Sequence, residues 1–468
     1  MTPSPDVLFG ELFRNVQRDP SIFKDSMEFA DAVPLSNPTL IMAAYHKQKN
    51  GPDFNLEDFV RQHFLIRATT ASSLPRAKKK KGLTEVLETM WGKLTRCTPK
   101  DEGSLIGLPY CYIAPGGRFS AMYYWDTYFA MLGLQDGEMI ANLIRNFAFL
   151  IDKYGFIPNA NRSYYLGRSQ PPFFHRMLDF LPPQDRAEHH PRLARELAYW
   201  LKPGEHGIPI EGTILSRYYD TQHGQGPRPE SFREDEMAAK KYGTSVYLHL
   251  RAACESGWDF SSRWYSSSSS EIITSDLLPV DLNALLLEKK RTLKRLTPAE
   301  ERVFGKLFWD ADKGWFFDYN YKTKKIRNTH WTLAGMFPLY CRLATQEQAH
   351  RVADNLQRKF LRAGGLVTSL NHTLEQWDAP NGWAPLQWVG IVGLRYYGFH
   401  RLADLIKRRW IRTNTAVFEK VGCFMEKYNV ENPNVLAGGG EYALVTDGFA
   451  WTNGVLSALL HDVDCREF

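Results

Sequence analysis

Three Trp-Asp pairs, Trp125-Asp126, Trp258-Asp259 and Trp377-Asp378, lie in segments unusually dense in Gly, Pro, Arg and aromatic residues. PGGRFSAMYYWDTYF, from Pro115 to Phe129, gathers Arg118, two tyrosines, Trp125 and Asp126 behind a Gly-Gly turn. FIPNANRSYYLGRSQPP, from Phe156 to Pro172, adds Asn159, Arg168 and Gln170. The stretch from Gly226 to Asp259 holds PRPES, with Arg228 and Glu230, and the start of SGWDFSSRW, with Gly257 and Asp259. A last cluster joins QWDAPNGWAPLQ (Gln376 to Gln387), MEKYNVENPNVLAGGGEY (Met425 to Tyr442) and GFAWTNGV (Gly448 to Val455). Arg, Asn, Gln and carboxylates recognise hydroxyl groups, and Trp or Tyr covers the C–H face of a sugar ring. Cleaving a glycosidic bond adds two carboxyl groups, one to protonate the leaving oxygen and one to direct water or attack. The acid must keep its proton near neutral pH, which burial or a neighbouring carboxylate achieves by raising its pKa. A carboxyl beside Trp is suited to such burial. One WD dipeptide is more often a helix cap or a structural hydrogen bond, but four such clusters exceed what a core needs.

Helices must position these loops. Asp136 to Tyr154 puts Met139, Ile140, Leu143, Ile144, Phe147, Leu150 and Ile151 on one broad apolar stripe. Glu234 to Glu255, Thr297 to Phe308, Thr345 to Arg362 and Gly393 to Asn414 read as helices in the same way. Gly turns follow several helical segments, in KYGFIPN (153–159), AGGLVTS (363–369) and VGCFMEK (421–427), where a Gly cap is expected. With almost no alternating strand pattern, the chain reads as mainly α, with loops carrying the site. One domain is expected over 1–468, with residues 1–110 as a helical arm packed on a main body of 111–468. SRWYSSSSS (262–270) reads as a serine-rich loop without a core-forming pattern.

Composition sets the outer bounds. The 468 residues are 44% hydrophobic and 24% charged, which excludes disorder, collagen-like repeats and a disulfide-dense scaffold for the bulk of the chain. Aromatic content is high at 13%, in keeping with a core and with sugar-binding walls. The net charge is only +6, and the run from Arg76 to Lys81 (RAKKKK) reads as a solvated loop rather than part of a broad basic face. Nucleic-acid binding is therefore rejected. The six cysteines, Cys97, Cys111, Cys254, Cys341, Cys423 and Cys465, form no CxxC pair and are irregularly spaced. That argues against a zinc site or disulfide framework and for a reducing compartment. MTPSPDVLFGELF shows no positive n-region followed by an apolar h-region, and no stretch is long and apolar enough to span a membrane. The expected location is the cytoplasm. His189-His190 lacks HExxH spacing, and the triple Gly at 438–440 precedes Glu-Tyr, so neither a metalloprotease nor a P-loop signal is present.

PGGRF…YYWDTYF and QWDAPNGWAP resemble the two signature motifs of the trehalases of glycoside hydrolase family 37. DAVP at 31–34, NRSYYLGRSQPP, GPRPES, ESGWDFSSRW with PVDLNALL at 279–286, and EKYNV…GGGEY…GFAWTNGV are similar to the same family in the same order, over about residues 8 to 456. The resemblance implies an all-α (α/α)6 barrel with a loop-built site at one mouth. It implies an inverting hydrolase that splits α,α-trehalose with water into two glucoses, without metal or cofactor; a monomer is expected. The general acid would be Asp259 and the general base Glu426. Substrate contacts would fall on Arg118, Trp125, Asp126, Asn159, Arg168, Ser169, Gln170, Arg228, Pro229, Glu230, Gly257 and Glu441, with Trp377, Asp378 and Trp383 shaping the pocket. Two departures stand out. Ala121 replaces the Glu usual three residues after the signature Arg, and GGGEYALVTDGFAWTNG carries Ala443, Val445 and Ala450 and one added residue. These leave open a glycosidase for a related α-linked disaccharide, or a sugar-binding homologue without turnover.

Overall fold

The computed structural model describes residues 3–67, 82–222, 224, 226–266, 269–435 and 448–462. Glu441, Ala443, Val445, Cys465 and the 76–81 lysine run lie outside the described residues. Among the described residues, twelve helices alternate along the chain between two kinds of burial. The first kind is α1 (Leu83–Leu94), α3 (Gly137–Tyr154), α5 (His190–Trp200), α7 (Pro298–Phe308), α9 (Gln346–Asn355) and α11 (His400–Val421). Each buries one stripe: α11, for example, buries Ala403, Ile406, Trp410, Thr413, Val417 and Phe418, at helical spacing. The second kind is α2 (Tyr124–Met131), α4 (Phe174–Met177), α6 (Val280–Thr292), α8 (Phe337–Tyr340), α10 (Ala384–Tyr396) and α12 (Ala450–Leu460). These are buried nearly all round, and every residue of α2 is buried.

That alternation is an (α/α)6 barrel. The inner helices form a ring: α4 packs on α2, α2 on α12, α12 on α10, α10 on α8 and α8 on α6. Between α6 and α4 the ring closes through Glu288, which receives Arg176 at 2.5 Å and faces His175 at 3.0 Å. The outer helices lean on it, α1 on α12, α3 on α4, α5 and α7 on α6, and α11 on α10 and α12. Ring closure needs a small residue where α12 meets α2, because a Cβ on Gly454 would overlap the carbonyl oxygen of Phe129.

Local signals stop the helices where the sequence says they should. Asp136 caps α3 by accepting from the amides of Glu138 and Met139, and Gly155 ends it at φ +85°. Thr297 and Glu300 form a capping box on α7, as do Thr345 and Gln348 on α9. Three expected helices are divided. Glu234 to Glu255 becomes Phe232–Tyr242 and Val246–Glu255, parted at Gly243 with φ +84°. Gly393 to Asn414 straddles the end of α10 and most of α11, broken at Gly398 with φ +82°. Thr345 to Arg362 stays α-helical only to Asn355, then makes a π turn and enters a short strand. The 262–270 loop is also more than a solvated connector, since Trp264 is fully buried and Arg263 pairs with Asp281 at 2.7 Å and Asp318 at 2.8 Å.

Strands are short ladders that pin loops. β1 (Thr95–Arg96) pairs with β2 (Tyr112–Ile113), and β3 (Asn381–Trp383) with β4 (Lys427–Asn429), both antiparallel. A Cys97–Cys111 disulfide lies just beyond the β1–β2 ladder, contrary to the expectation of scattered thiols. The arm helices Pro5–Arg18, Ser26–Ala30, Pro38–Gln48 and Leu56–His63 share a cluster of Phe9, Phe13, Phe29, Tyr45 and Phe59. That cluster also takes in Tyr123, Tyr165 and Phe232 from the barrel's loops, so the arm is packed against the loops that carry the site.

Candidate active site

At one end of the barrel a cavity is lined by residues from eight separated stretches of chain, from Met27 to Trp451. Several inner helices start there. Tyr123 caps the N-terminus of α2, Trp383 that of α10 and Phe449 that of α12, and all three line the cavity. The positive ends of these helix dipoles therefore face it.

The cavity brings Asp259 and Glu426 together from distant loops. Asp259 follows Gly257, whose φ of +73° favours glycine and where a Cβ would stand 2.8 Å from the Trp125 ring. The Asp259 loop is fastened from the Gln376–Asp378 side. Trp377 donates its amide to the carbonyl of Phe260 at 3.0 Å, and Asp378 accepts from the Ser261 hydroxyl and the Ser262 amide, each at 2.9 Å. Glu426 directly precedes β4, and its peptide carbonyl receives the Trp451 indole N–H at 3.0 Å. Glu426 is buried, whereas Asp259 is half-buried, more open than its Trp neighbour suggested.

Asp126 is the third carboxyl in the cavity. Burial, followed by the charges of Glu426 and Asp259, pushes its pKa well above the usual carboxylate range. Arginines complete the polar wall. Arg168 donates to Asp220 at 2.9 Å and to Glu230. Glu230 keeps its second oxygen, Oε2, buried without a hydrogen-bond partner among the described residues. Arg228 is gripped by Asp235 at 2.7 Å and reaches the Cys254 sulfur at 2.6 Å. Arg118 pairs with Asp25 of the arm at 2.5 Å. The apolar wall is a tryptophan stack: Trp258 and Trp377 lie 5.3 Å apart, Trp377 and Trp383 are parallel at 3.9 Å, and Trp451 meets both Trp125 and Trp383 edge-on. Carboxyls, guanidinium groups and flat aromatic faces in one concavity suit a carbohydrate with many hydroxyls.

The trehalase family model matches residues 21–464. A periplasmic trehalase of Salmonella newport (strain SL254) is 40% identical over an alignment that takes in the whole chain and 88% of that protein. The chain belongs to the trehalase family. It is a glycoside hydrolase. A periplasmic trehalase of Salmonella agona (strain SL483) matches at the same identity and coverage. Among solved structures, the neutral trehalase of Saccharomyces cerevisiae superposes with a TM-score of 0.61 at 27% identity, over 75% of this chain and 73% of its own. A GH63 mannosylglycerate hydrolase from Thermus thermophilus, solved with Tris, gives a TM-score of 0.53 at 18% identity, over 81% of this chain and 99% of its own, a likeness of fold alone.

These relatives overturn the cytoplasmic expectation, since the 40%-identical proteins are named periplasmic. The reasoning behind it also fails locally, because Cys97 and Cys111 are joined in a disulfide. Irregular spacing conceals such a pair: pairing depends on where the hairpin turns, and the Cα atoms end only 4.2 Å apart.

The cavity gathers Arg118, Trp125, Asp126, Asn159, Arg168, Gln170, Arg228, Glu230, Gly257, Asp259, Trp377, Trp383 and Glu426. Ser169, Pro229 and Asp378 stand behind its wall. The Ser169 hydroxyl donates to the carbonyl of Ile157 at 2.6 Å, the Pro229 carbonyl accepts from Gln17 at 3.2 Å, and Asp378 knots Ser261, Ser369 and Thr373 together. Ala121 is buried in the arm's cluster, and acids of the arm hold the neighbouring arginines, Asp25 on Arg118 and Asp31 on Arg162. Residues missed from sequence include Met27, Phe119, Tyr165, Cys254, Gln376 and Trp451. Gln376 and Trp451 sat inside recognised motifs and carried a signal, whereas Met27, on a short arm helix, carried none.

Proposed function

We propose that this chain hydrolyses α,α-trehalose with inversion, using Asp259 as general acid and Glu426 as general base, and that it works in the periplasm. The observation carrying the assignment is the single cavity that joins these two carboxyls to Arg118, Arg168, Arg228, Glu230 and a wall of tryptophans. Glu426 takes a proton from water as the water oxygen bonds to C1 of one glucose. The C1–O bond breaks, Asp259 gives its proton to the departing oxygen, and solvent restores both groups. Water adds opposite the leaving group, so one glucose emerges as the β anomer and the other stays α. Glu230 and the arginines hold hydroxyls, and the tryptophans cover ring faces. The location follows the 40%-identical relatives and agrees with the Cys97–Cys111 bond.

Proton NMR of the anomeric signals tests the reaction. With fresh protein and trehalose, equal initial amounts of α- and β-glucose are expected, and two α anomers would refute inversion. Asp259→Asn and Glu426→Gln should each lower kcat by about 10²-fold or more, and near-normal turnover in either removes that residue from its role. A panel of α-linked disaccharides decides the substrate, since trehalose must be the best of them.

A further inference from the structure

A chain of polar contacts spans the two carboxyl-bearing loops. The Lys427 ammonium lies 3.0 Å from Glu426 Oε2 and 3.0 Å from the side-chain oxygen of Gln376. The amide nitrogen of Gln376 in turn donates to the peptide carbonyl of Asp259. Lys427 is 1% and Gln376 3% exposed, and Gln376 lines the cavity. Lys427 also sits 5.1 Å over the Trp383 ring. The direction of the chain is dictated chemically. Lysine only donates, so the Gln376 oxygen must face it, and the Gln376 amide is left to face a peptide carbonyl that only accepts. The backbone fixes both ends: Lys427 pairs with Trp383 in the β3–β4 ladder, and the peptide carbonyl of Gln376 accepts from the Trp383 indole at 3.1 Å and from the Asn381 side-chain Nδ2 at 3.0 Å.

We infer that Gln376 and Lys427 are positioning residues that hold the peptide of Asp259 and the carboxylate of Glu426 at a fixed separation. The inference rests on the roles assigned to those carboxyls. Inverting hydrolysis depends on the gap between them, because a water molecule must fit there with its oxygen aimed at C1. A buried ammonium bonded to one oxygen of Glu426 restricts the rotation of that carboxylate, so the group meets the water in one orientation. Neither side chain needs to touch the sugar for this.

The test uses two substrates. On trehalose, Lys427→Met should lower kcat about tenfold or more while KM stays within about threefold, the pattern of a lost transition-state interaction. On α-glucosyl fluoride, whose fluoride leaves without needing a proton, Lys427→Met should lose as much, because the base still has to act. Lys427→Arg should recover most of the loss. Gln376→Met, of similar volume, should show the same kcat-selective loss on trehalose, and it serves if Lys427→Met fails a thermal melt. A kcat within about twofold of the parent in a folded variant, or a loss confined to KM, overturns the inference. Asp259→Asn is the control on the assigned roles: it should fail on trehalose and recover on the fluoride. If Asp259→Asn hydrolyses trehalose normally, it is the assignment of the acid that fails.

Discussion

Asp126 touches two balances at once. It sits in the cavity with Glu426 and Asp259, and burial and their charges keep its pKa well above that of an exposed aspartate. Below the ordinary carboxylate value, the folded and unfolded chains both carry this proton, and the full contribution to stability is present. As pH climbs from there toward the raised value, the unfolded chain releases the proton more readily, and that stability drains away. Asp126→Asn removes the ionisable group, so the variant should be more stable than the parent at pH 8, on the order of 1 kcal/mol or about 1 °C in Tm. The gain should shrink toward zero at pH 4. Its turnover should fall at every pH, since a stabilised site gives up function. Melting curves of the two proteins at both pH values check the sign, and an equal shift at pH 4 and pH 8 would refute the electrostatic cause. Residues of this kind are legible from sequence only by type. Asp126, Asp259 and Asp378 all follow a Trp, yet they end in three conditions: buried in the cavity, half-open in the cavity, and knotted behind its wall. Which of these holds is decided by contacts such as Ser261 and Ser369 on Asp378, from loops remote in sequence.

Short elements do much of the positioning here. The β1–β2 ladder ends two residues before the Pro115–Arg118 turn, and the disulfide flanks it on the other side. A crosslink over 14 positions restricts the unfolded chain, and loops of about this length contribute roughly 3 kcal/mol. Cys97→Ser with Cys111→Ser should therefore lower stability by about 2–4 kcal/mol. Reductant should lower the Tm of the parent and leave the double variant unmoved, and a reductant effect of equal size on both would sink this account. Helices were the more readable elements, since their stripes and caps are local: Asp136 and Gly155 mark the two ends of α3, and Thr297 the start of α7. Breaks at Gly243 and Gly398 were less so. A glycine within a helical pattern can be a tolerated residue or a turn, and the choice depends on what packs around it.

At the scale of the whole molecule, the six-fold alternation of helices was within reach of the sequence only through its resemblance to a family, because ring closure is a long-range fact. Nothing local says that Gly454 must meet Phe129, or that Glu288 must take Arg176 from another helix. The arm shows the same limit, for its helices are amphipathic in an ordinary way and yet Met27 and Asp25 reach the cavity and its arginine. Such assembly gives the molecule an optical property. Trp125, Trp377, Trp383 and Trp451 line the cavity, and Trp258 stacks against Trp377 behind them, so five of the 13 tryptophans share one microenvironment. A bound sugar displaces water from those indoles, and the emission of the slowed Glu426→Gln variant should change saturably with trehalose while its sensitivity to an aqueous quencher falls. Emission that is indifferent to saturating trehalose would mean that the stack is not the sugar's wall. If the proposed site is right, the surface that holds the sugar is also an intrinsic gauge of its own occupancy, readable without a label.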